Sequence, residues 1–349
     1  MKLIVQIPAL NERETIATVI ADIPRRIPGI AEVEVLIIDD GCTDDTVSVA
    51  MQAGANHVVR HTSNKGLAAA YQTGIDTALR LGADIIVNTD ADHQYPGSEI
   101  PRLVAPIVGG VADIVIGDRQ VQQIEHFTPL KKALQYAGSQ VVRWASETNV
   151  PDTVSGFRAL SREAALRTFV TTDFSYTVEN LIQAGKRRLT ISAVPIRTNY
   201  VGRPSRLHRG NWNFIKRQGA IIARTYATYE PLKVFSYIAL ACFIPGALLL
   251  IWALIVFVGR RLDLLTNTNE QSLLVGSVLV MMALFTFLIG LLADRVGGVR
   301  RVQEEILYRV RATQVTDEAW RREVDARLGM LERTIGAEPP PVAHERETP

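Results

Sequence analysis

The sequence predicts an α/β fold built on a mainly parallel sheet, on three grounds. Short β-branched runs alternate with amphipathic stretches as far as about Thr198, acidic residues collect just after several of those runs, and two long uncharged stretches follow. Leu3–Ile7, Val33–Ile38, Val58–Val59, Ile85–Val87 and Asp113–Ile116 read as strands. Between them, Glu12–Ile23, Thr43–Ala53, Gly66–Leu81 and Leu130–Ser146 have the length and propensity of helices. Such βαβ alternation implies helices on both faces of the sheet and a ligand site at the carboxyl ends of the strands.

The second half departs from this pattern. Val234–Val258 and Leu273–Ala293 are uncharged and long enough for the roughly 20-residue helix that crosses a bilayer. Two buried core helices are the alternative, and a soluble domain rarely hides two such helices side by side. Lys216, Arg217, Arg224 and Lys233 before the pair and Arg295, Arg300 and Arg301 after it suit a hairpin with both ends inside, while Arg260 and Arg261 in the short outer loop run against the rule. Asn211–Tyr229 mixes apolar and basic residues, as an interfacial helix does, although a solvated linker helix has the same composition. The expected organisation is an α/β unit at 1–210, interfacial helices at 211–232, a membrane hairpin at 233–294 and a charged helical tail at 295–349 with a disordered end.

Composition narrows the function. The chain has 349 residues, 47% of them hydrophobic, and a net charge of only +2, so no global basic field points to nucleic acid. Cys42 and Cys242 have no metal-type spacing, which fits a reducing compartment. The apolar stretch Leu3–Ile7 is too short for a signal peptide, so the expectation is a multi-pass protein of the cell membrane with the α/β unit and both termini cytoplasmic.

The first strand leads into Pro8-Ala9-Leu10-Asn11-Glu12 without a Gly-x-Gly-x-x-Gly turn, which disfavours a dehydrogenase-type dinucleotide cradle. The second ends at Asp39-Asp40-Gly41-Cys42-Thr43-Asp44. A cap explains Thr43 or Asp44, but two adjacent carboxylates repel unless something satisfies them. The fourth ends in Asp90-Ala91-Asp92-His93-Gln94, whose alternating oxygen ligands Asp90, Asp92 and Gln94 suit Mg²⁺ or Mn²⁺ holding substrate phosphates, with His93 facing solvent. Asp152 and Glu179 are further carboxylates that either act on substrate or merely cap. Arg119, Arg197, Arg203, Arg206 and Arg209 are suited either to phosphate oxygens or to a solvated or headgroup-facing surface.

Taken in order, Ile7-Pro8-Ala9-Leu10-Asn11-Glu12, Asp39-Asp40-Gly41, Asn64-Lys65-Gly66-Leu67, Asp90-Ala91-Asp92-His93-Gln94, Gly117-Asp118-Arg119 and Ser155-Gly156-Phe157-Arg158 resemble the family-two glycosyltransferases of the GT-A fold. The resemblance is to their polyprenyl-phosphate branch, which includes dolichyl-phosphate mannose and glucose synthases, and it covers about the first 300 residues. It implies a Rossmann-like sheet, a nucleotide-sugar donor, polyprenyl or dolichyl phosphate as acceptor, Mg²⁺ or Mn²⁺, and inversion at the anomeric carbon.

By the same resemblance, Pro8, Glu12 and Asp39 hold base and ribose. Leu10, Ile37, Asp40, Lys65, Asp90, Ala91 and Arg119 complete the donor site, and Asp90, Asp92 and Gln94 hold the metal. Asp92, Arg119, Asp152 and Glu179 are the implied catalytic set. Ser155, Arg158, Arg203, Ser205 and Arg206 are implied to bind the acceptor phosphate. Arg203-Pro204-Ser205-Arg206-Leu207 looks like a variant of the family's Gly-Glu-Ser-Lys-Leu stretch, with arginine in place of lysine, and Cys42 stands where serine is usual.

Two other functions compete. A processive polysaccharide synthase shares the fold, and the chain contains Gln140-Val141-Val142-Arg143-Trp144, but that pattern precedes Asp152 and Glu179 instead of following the acidic segment. A non-catalytic membrane scaffold predicts loss of the metal carboxylates, which are all present. Gly246, Ala247, Gly276 and Gly290 permit close helix packing, compatible with homo-oligomers.

Overall fold

Seven strands form one sheet: β1 (Lys2–Ala9), β2 (Glu32–Asp39), β3 (His57–Arg60), β4 (Ile85–Asn88), β5 (Ile114–Asp118), β6 (Arg158–Ser161) and β7 (Ile191–Pro195). Their order is β3-β2-β1-β4-β6-β5-β7. All neighbours pair parallel except β6, which runs antiparallel to both β4 and β5. The computed structural model describes residues 1–120, 139–144, 146–170, 176–199, 219–220, 223–224, 226–262 and 270–335.

Strand β1 shows why its sequence is nearly all apolar: covered on both sides, it has an inside on each face. Leu3, Val5 and Ile7 pack in the core under α1 (Ile16–Asp22), α2 (Thr46–Gln52) and α4 (Ile100–Val108). Ile4 points the other way, into the core under α3 (Leu67–Arg80), α5 (Arg162–Arg167) and α6 (Tyr176–Lys186).

Strands β6 and β7 were not among the expected ones. Arg158 opens β6 although it is fully buried, so a charged residue marks the start of a central strand and hides it from a hydrophobicity reading. The first two helices begin later than expected. Residues 12–15 form turns, and the N–H of Thr43 is taken by Asn11 Oδ1 at 2.8 Å before α2 can start. Asp44, not Thr43, closes the head of α2 by accepting from the Thr46 N–H at 3.0 Å.

Two long helices follow. α7 (Pro231–Arg261) and α8 (Glu270–Ile335) each contain a stretch long and apolar enough to cross a membrane, with only 17% of each stretch buried. They pack on each other through glycines. A Cβ on Gly246 would stand 2.9 Å from Leu279 Cβ, and one on Gly276 would stand 3.0 Å from the Gly246 carbonyl oxygen.

Beyond its apolar part α8 continues unbroken and docks on the α/β body. Glu304 pairs with Arg187 at 3.0 Å and accepts from the Tyr229 hydroxyl at 3.1 Å. The Tyr308 hydroxyl donates to Glu163 at 3.0 Å, Arg311 pairs with Asp76 at 3.0 Å, and Val315 is buried in the core beside α3. The expected interfacial helix and the disordered end, at 336–349, fall wholly or mostly outside the described residues, as does most of Leu130–Ser146.

Candidate active site

Because β1, β2 and β4 run parallel, Leu10–Glu12, Asp40–Cys42 and Thr89–Asp92 all emerge at one edge of the sheet. The antiparallel β6 begins at that edge, its Arg158 opposite Asn88, so the residues that precede β6 enter the same place. Asp118 and Arg119 arrive there from the end of β5.

The β1 and β2 turns are stitched together. The Asn11 N–H donates to Cys42 Sγ at 3.3 Å, the Cys42 thiol donates to the Ala9 carbonyl at 3.4 Å, and the Glu12 N–H donates to Thr46 Oγ1 at 2.8 Å. Cys42 thus performs both hydrogen-bonding tasks of a hydroxyl, and burial pushes its thiol up to about 11, so it stays protonated. Pro8 and Ile37 lie buried in β1 and β2, while Leu10 and Glu12 are half-buried at the edge. Ala91 is buried, and its carbonyl accepts from Thr15 Oγ1 at 2.7 Å.

The first acidic pair is engaged internally. Asp39 accepts from the Cys42 N–H at 2.7 Å and from Arg60 Nε at 2.6 Å. Burial pushes its carboxyl up, but the Cys42 and Arg60 donors outweigh that and hold it below the usual range. Asp40 accepts from the N–H groups of Lys65 and Gly66 at 2.8 and 2.9 Å, and its Oδ1 lies 2.8 Å from His61 Nδ1. Buried and surrounded in this way, Asp40 is not disposed to touch a donor, which corrects the sequence expectation: it fixes the loop ahead of α3, leaving the Lys65 side chain exposed. Gly41 is needed for the same closeness, at φ +84° with the Asn64 nitrogen 2.8 Å from where a Cβ would be.

The second pair is different. Among the described residues none donates a hydrogen bond to Asp90, and Asp92 Oδ1 accepts only from the Gln94 N–H, at 3.0 Å. Burial, the Asp92 carboxylate and Glu12 push Asp90 up to about 7 against the pull of Arg119. No group of three or more His, Cys, Asp or Glu side chains that could hold a metal occurs among the described residues. Two carboxylates and the Gln94 amide are nonetheless a donor set that fits Mg²⁺ or Mn²⁺, which take one or two protein carboxylates together with substrate phosphates. The charge that Asp90 carries at some cost is the charge such an ion would relieve. His93, expected to face solvent, is half-buried 3.5 Å from Asp22.

Arg119 and Asp152 form a bidentate pair, Nε to Oδ2 at 2.7 Å and Nη2 to Oδ1 at 3.0 Å. Burial pushes Asp152 up, but Arg119 overrides it and holds the carboxyl low, which makes Asp152 a weak base and a firm anchor for the guanidinium. Glu179 is buried on α6 and accepts from Gln183 at 3.3 Å.

Arg158 does not fit the acceptor role the resemblance implied. It is wholly buried and donates to the carbonyls of Ser155, Thr177 and Thr153 at 2.8, 2.7 and 3.0 Å and to Asn180 Oδ1 at 3.2 Å. Ser155 is buried beside it. Arg203, Ser205 and Arg206 lie outside the described residues.

Beneath Asp90 sits a polar network that sequence reasoning missed. Asn88 accepts from Gln6 Nε2 at 2.9 Å and donates to the Gly156 carbonyl at 2.9 Å and the Tyr176 hydroxyl at 2.8 Å. Tyr176 stacks on Tyr71 with ring centroids 3.8 Å apart. The signal available in advance was polar: Gln6 and Asn88 interrupt two strands that are otherwise apolar. Gly156 brings its backbone against the carboxylate, where a Cβ would lie 3.3 Å from Asp90 Oδ1 and 2.9 Å from the Tyr176 hydroxyl.

Residues 4–169 match the family model described as glycosyl transferase family 2. A UDP-N-acetylglucosamine–dolichyl-phosphate N-acetylglucosaminyltransferase of Methanococcus voltae is 30% identical over 216 residues, which is 56% of this chain and 84% of that protein. A dolichyl-phosphate hexose transferase of Haloferax volcanii is 31% identical over 188 residues, 53% of this chain and 78% of that protein. The glycosyltransferase AglJ of the same organism is 29% identical over 308 residues, 85% of this chain and 94% of that protein. Among solved structures, glucosyl-3-phosphoglycerate synthase from Mycobacterium tuberculosis, in complex with Mn²⁺, uridine diphosphate and phosphoglyceric acid, covers 65% of this chain and 77% of that one at 22% identity, with a TM-score of 0.49.

The class of protein is therefore a glycosyltransferase. This chain belongs to glycosyl transferase family 2.

Proposed function

We propose that the protein transfers a hexose-type sugar, with inversion, from a UDP- or GDP-sugar to polyprenyl or dolichyl phosphate at the cytoplasmic face of the cell membrane. The observation that carries this reading is the contrast at the sheet edge. One acidic pair is satisfied by the protein itself, while Asp90 and Asp92 are left for a cation and its diphosphate, in a chain that goes on into two helices of membrane-crossing length. Relatives whose names specify dolichyl-phosphate acceptors support the acceptor class.

Asp90, Asp92 and Gln94 would hold the divalent ion, which when bound neutralises the departing nucleoside diphosphate. Pro8, Leu10, Glu12, Ile37 and Asp39 flank the base and ribose. Arg119, aimed by Asp152, offers its charge to the diphosphate or the sugar, and it needs no reorganisation because the pair is already formed.

The acceptor brings its own nucleophile. A phosphate monoester loses its second proton near pH 6, so the oxyanion is present at neutral pH without a strong base. That oxygen forms the new bond to the anomeric carbon as the bond from carbon to the diphosphate oxygen breaks, giving a sugar phosphodiester with inverted configuration. The chain's part is alignment and charge: Asn88 fixes the Gly156 carbonyl, and with it the backbone that lies against Asp90, and Asp40 holds the loop at the mouth.

The test is transfer of radiolabelled sugar from a panel of UDP- and GDP-sugars into organic-extractable lipid, using purified protein, polyprenyl phosphate and Mn²⁺ or Mg²⁺. Label in the lipid with one donor, lost in Asp92→Ala, is the expected result. Insoluble polymer in place of labelled lipid, or no product from any donor, would reject the reading.

A further inference from the structure

Each of the three helices that α8 grips outside its apolar part leads back to the candidate site. Asp76, the partner of Arg311, lies on α3, and α3 starts from the Lys65–Gly66 loop that Asp40 holds. Glu163 accepts from the Tyr308 hydroxyl, and Arg167 lies 4.2 Å over the Tyr308 ring. Both belong to α5, which follows β6 without a break. Arg187, the partner of Glu304, directly follows α6, and α6 starts at Tyr176, part of the network beneath Asp90.

The grip is directional. The Arg311 guanidinium pairs with Asp76 at 3.0 Å, donates to the Thr168 carbonyl at 2.7 Å and lies 5.4 Å over the Phe169 ring, with its side chain only 12% exposed. Such bonds specify one register, because a slide of one helical turn, about 5.4 Å, would break them all. The body is fastened to the neighbouring helix as well, where Glu230 at the head of α7 accepts from Lys186 at 2.7 Å. Two fastenings on two helices prevent a swivel about either one.

We propose that the cytoplasmic part of α8 is a positioning element for the acceptor: it sets the height and tilt of the catalytic edge over the bilayer, with Glu304, Tyr308 and Arg311 as positioning residues. The inference rests on the membrane and acceptor readings proposed above. A polyprenyl chain keeps its phosphate at the headgroup layer, so the acceptor does not rise to meet the donor. In-line transfer needs the reacting atoms about 3–3.5 Å apart, and a body swinging on a flexible linker would spend little of its time at that height.

The fold removes that freedom, since α8 is one unbroken helix from the apolar span to the docked residues. Counted from Asp294, where the uncharged stretch ends, Glu304, Tyr308, Arg311 and Val315 stand about 15, 21, 26 and 32 Å along the axis at 1.5 Å per residue. Contacts spread over about 17 Å of a rod fix its tilt against the body as well as its height.

The experiment uses full-length protein in liposomes with a Gly-Ser-Gly-Ser-Gly-Ser insertion between Gly298 and Val299. The insertion lies between the span and the docked residues, so it keeps every contact of α8 with the body and cuts only their link to the membrane. Transfer to long-chain polyprenyl phosphate should fall at least about tenfold, while the KM for the donor and transfer to water-soluble geranyl phosphate stay within about twofold. Arg311→Glu should act in the same direction, and Arg311→Lys, which can still pair with Asp76, should recover part of the loss. Long-chain transfer that survives the insertion would overturn the proposal and make the docking purely stabilising. Geranyl phosphate transfer that falls with it would also overturn the proposal, because the docking would then shape the site itself.

A wild-type protein that transfers to neither acceptor refutes the acceptor reading instead, and the positioning role is then decided without catalysis. In a background with Cys42→Ser and Cys242→Ser, a dye on Ser98→Cys should show one narrow distance to headgroup dyes by energy transfer, and the insertion should broaden it. A distance distribution that the insertion leaves unchanged would overturn the proposal.

Discussion

The two acidic pairs follow β2 and β4, parallel strands on either side of β1, and look alike as sequence, yet the protein treats them in opposite ways. Asp39 and Asp40 receive an arginine, a histidine and three backbone N–H groups. Among the described residues, Asp90 and Asp92 receive one backbone N–H between them. Asp90 and Asp92 are half-buried, and a partly desolvated carboxylate without protein donors is costly unless water or a ligand supplies what is missing. Hydrogen-bond donors therefore set the acids that the fold satisfies apart from those it leaves open, where residue type cannot.

The strongest test of that contrast is Asp92→Ala, which should lower transfer by about a thousandfold or more by removing half of the carboxylate clamp. It should also abolish the rise in melting temperature that Mn²⁺ gives the wild-type protein, measured by thermal shift. Asp40→Asn should act through stability instead. It leaves His61 and the Lys65–Gly66 loop short of their acceptor and should cost about 3 kcal/mol in denaturant unfolding, while Mn²⁺ still raises the melting temperature.

Asp90→Asn should reverse the sign of the stability effect. The folded protein holds this carboxyl at about 7, above its ordinary value, so the metal-free form loses stability as pH rises from about 4 to about 7. The substitution should raise the metal-free melting temperature more at pH 8 than at pH 5, and an equal gain at both would refute the assigned cause.

Gly156→Ala, which presses on Asp90 and Tyr176, should cost about 1–3 kcal/mol and lower turnover more than donor affinity. The smallest effect belongs to Cys42→Ser, where a hydroxyl can make the same two hydrogen bonds, and activity should stay within about twofold of the wild type.

The sheet, its parallel sense and the two long apolar helices were legible in the sequence because each rests on periodicity or length. The Asp90–Gln94 segment was legible as a candidate ligand set from its alternation. Arg158 was given to the acceptor phosphate because the resemblance implied it, whereas four internal acceptors, distributed over residues 153–180, engage it in the fold. Asp40 was misread for a related reason, since its partners at Lys65 and Gly66 are backbone groups, which no side-chain pattern announces. The Asn88 network needs the sheet order to bring Gln6, Gly156 and Tyr176 together, and that order is not written locally.

The antiparallel strand β6 has a practical result for how such an enzyme can diversify. The chain between β5 and β6 leaves and re-enters at the same edge, closed at its base by the Gly117 N–H donating to the Phe157 carbonyl at 2.9 Å and by the Arg119–Asp152 pair. A segment fastened at both ends can change length cheaply, since doubling a loop costs only about 0.6 kcal/mol in closure entropy. Changes of chain length between Arg119 and Asp152 can therefore be absorbed while the sheet and the carboxylates keep their places.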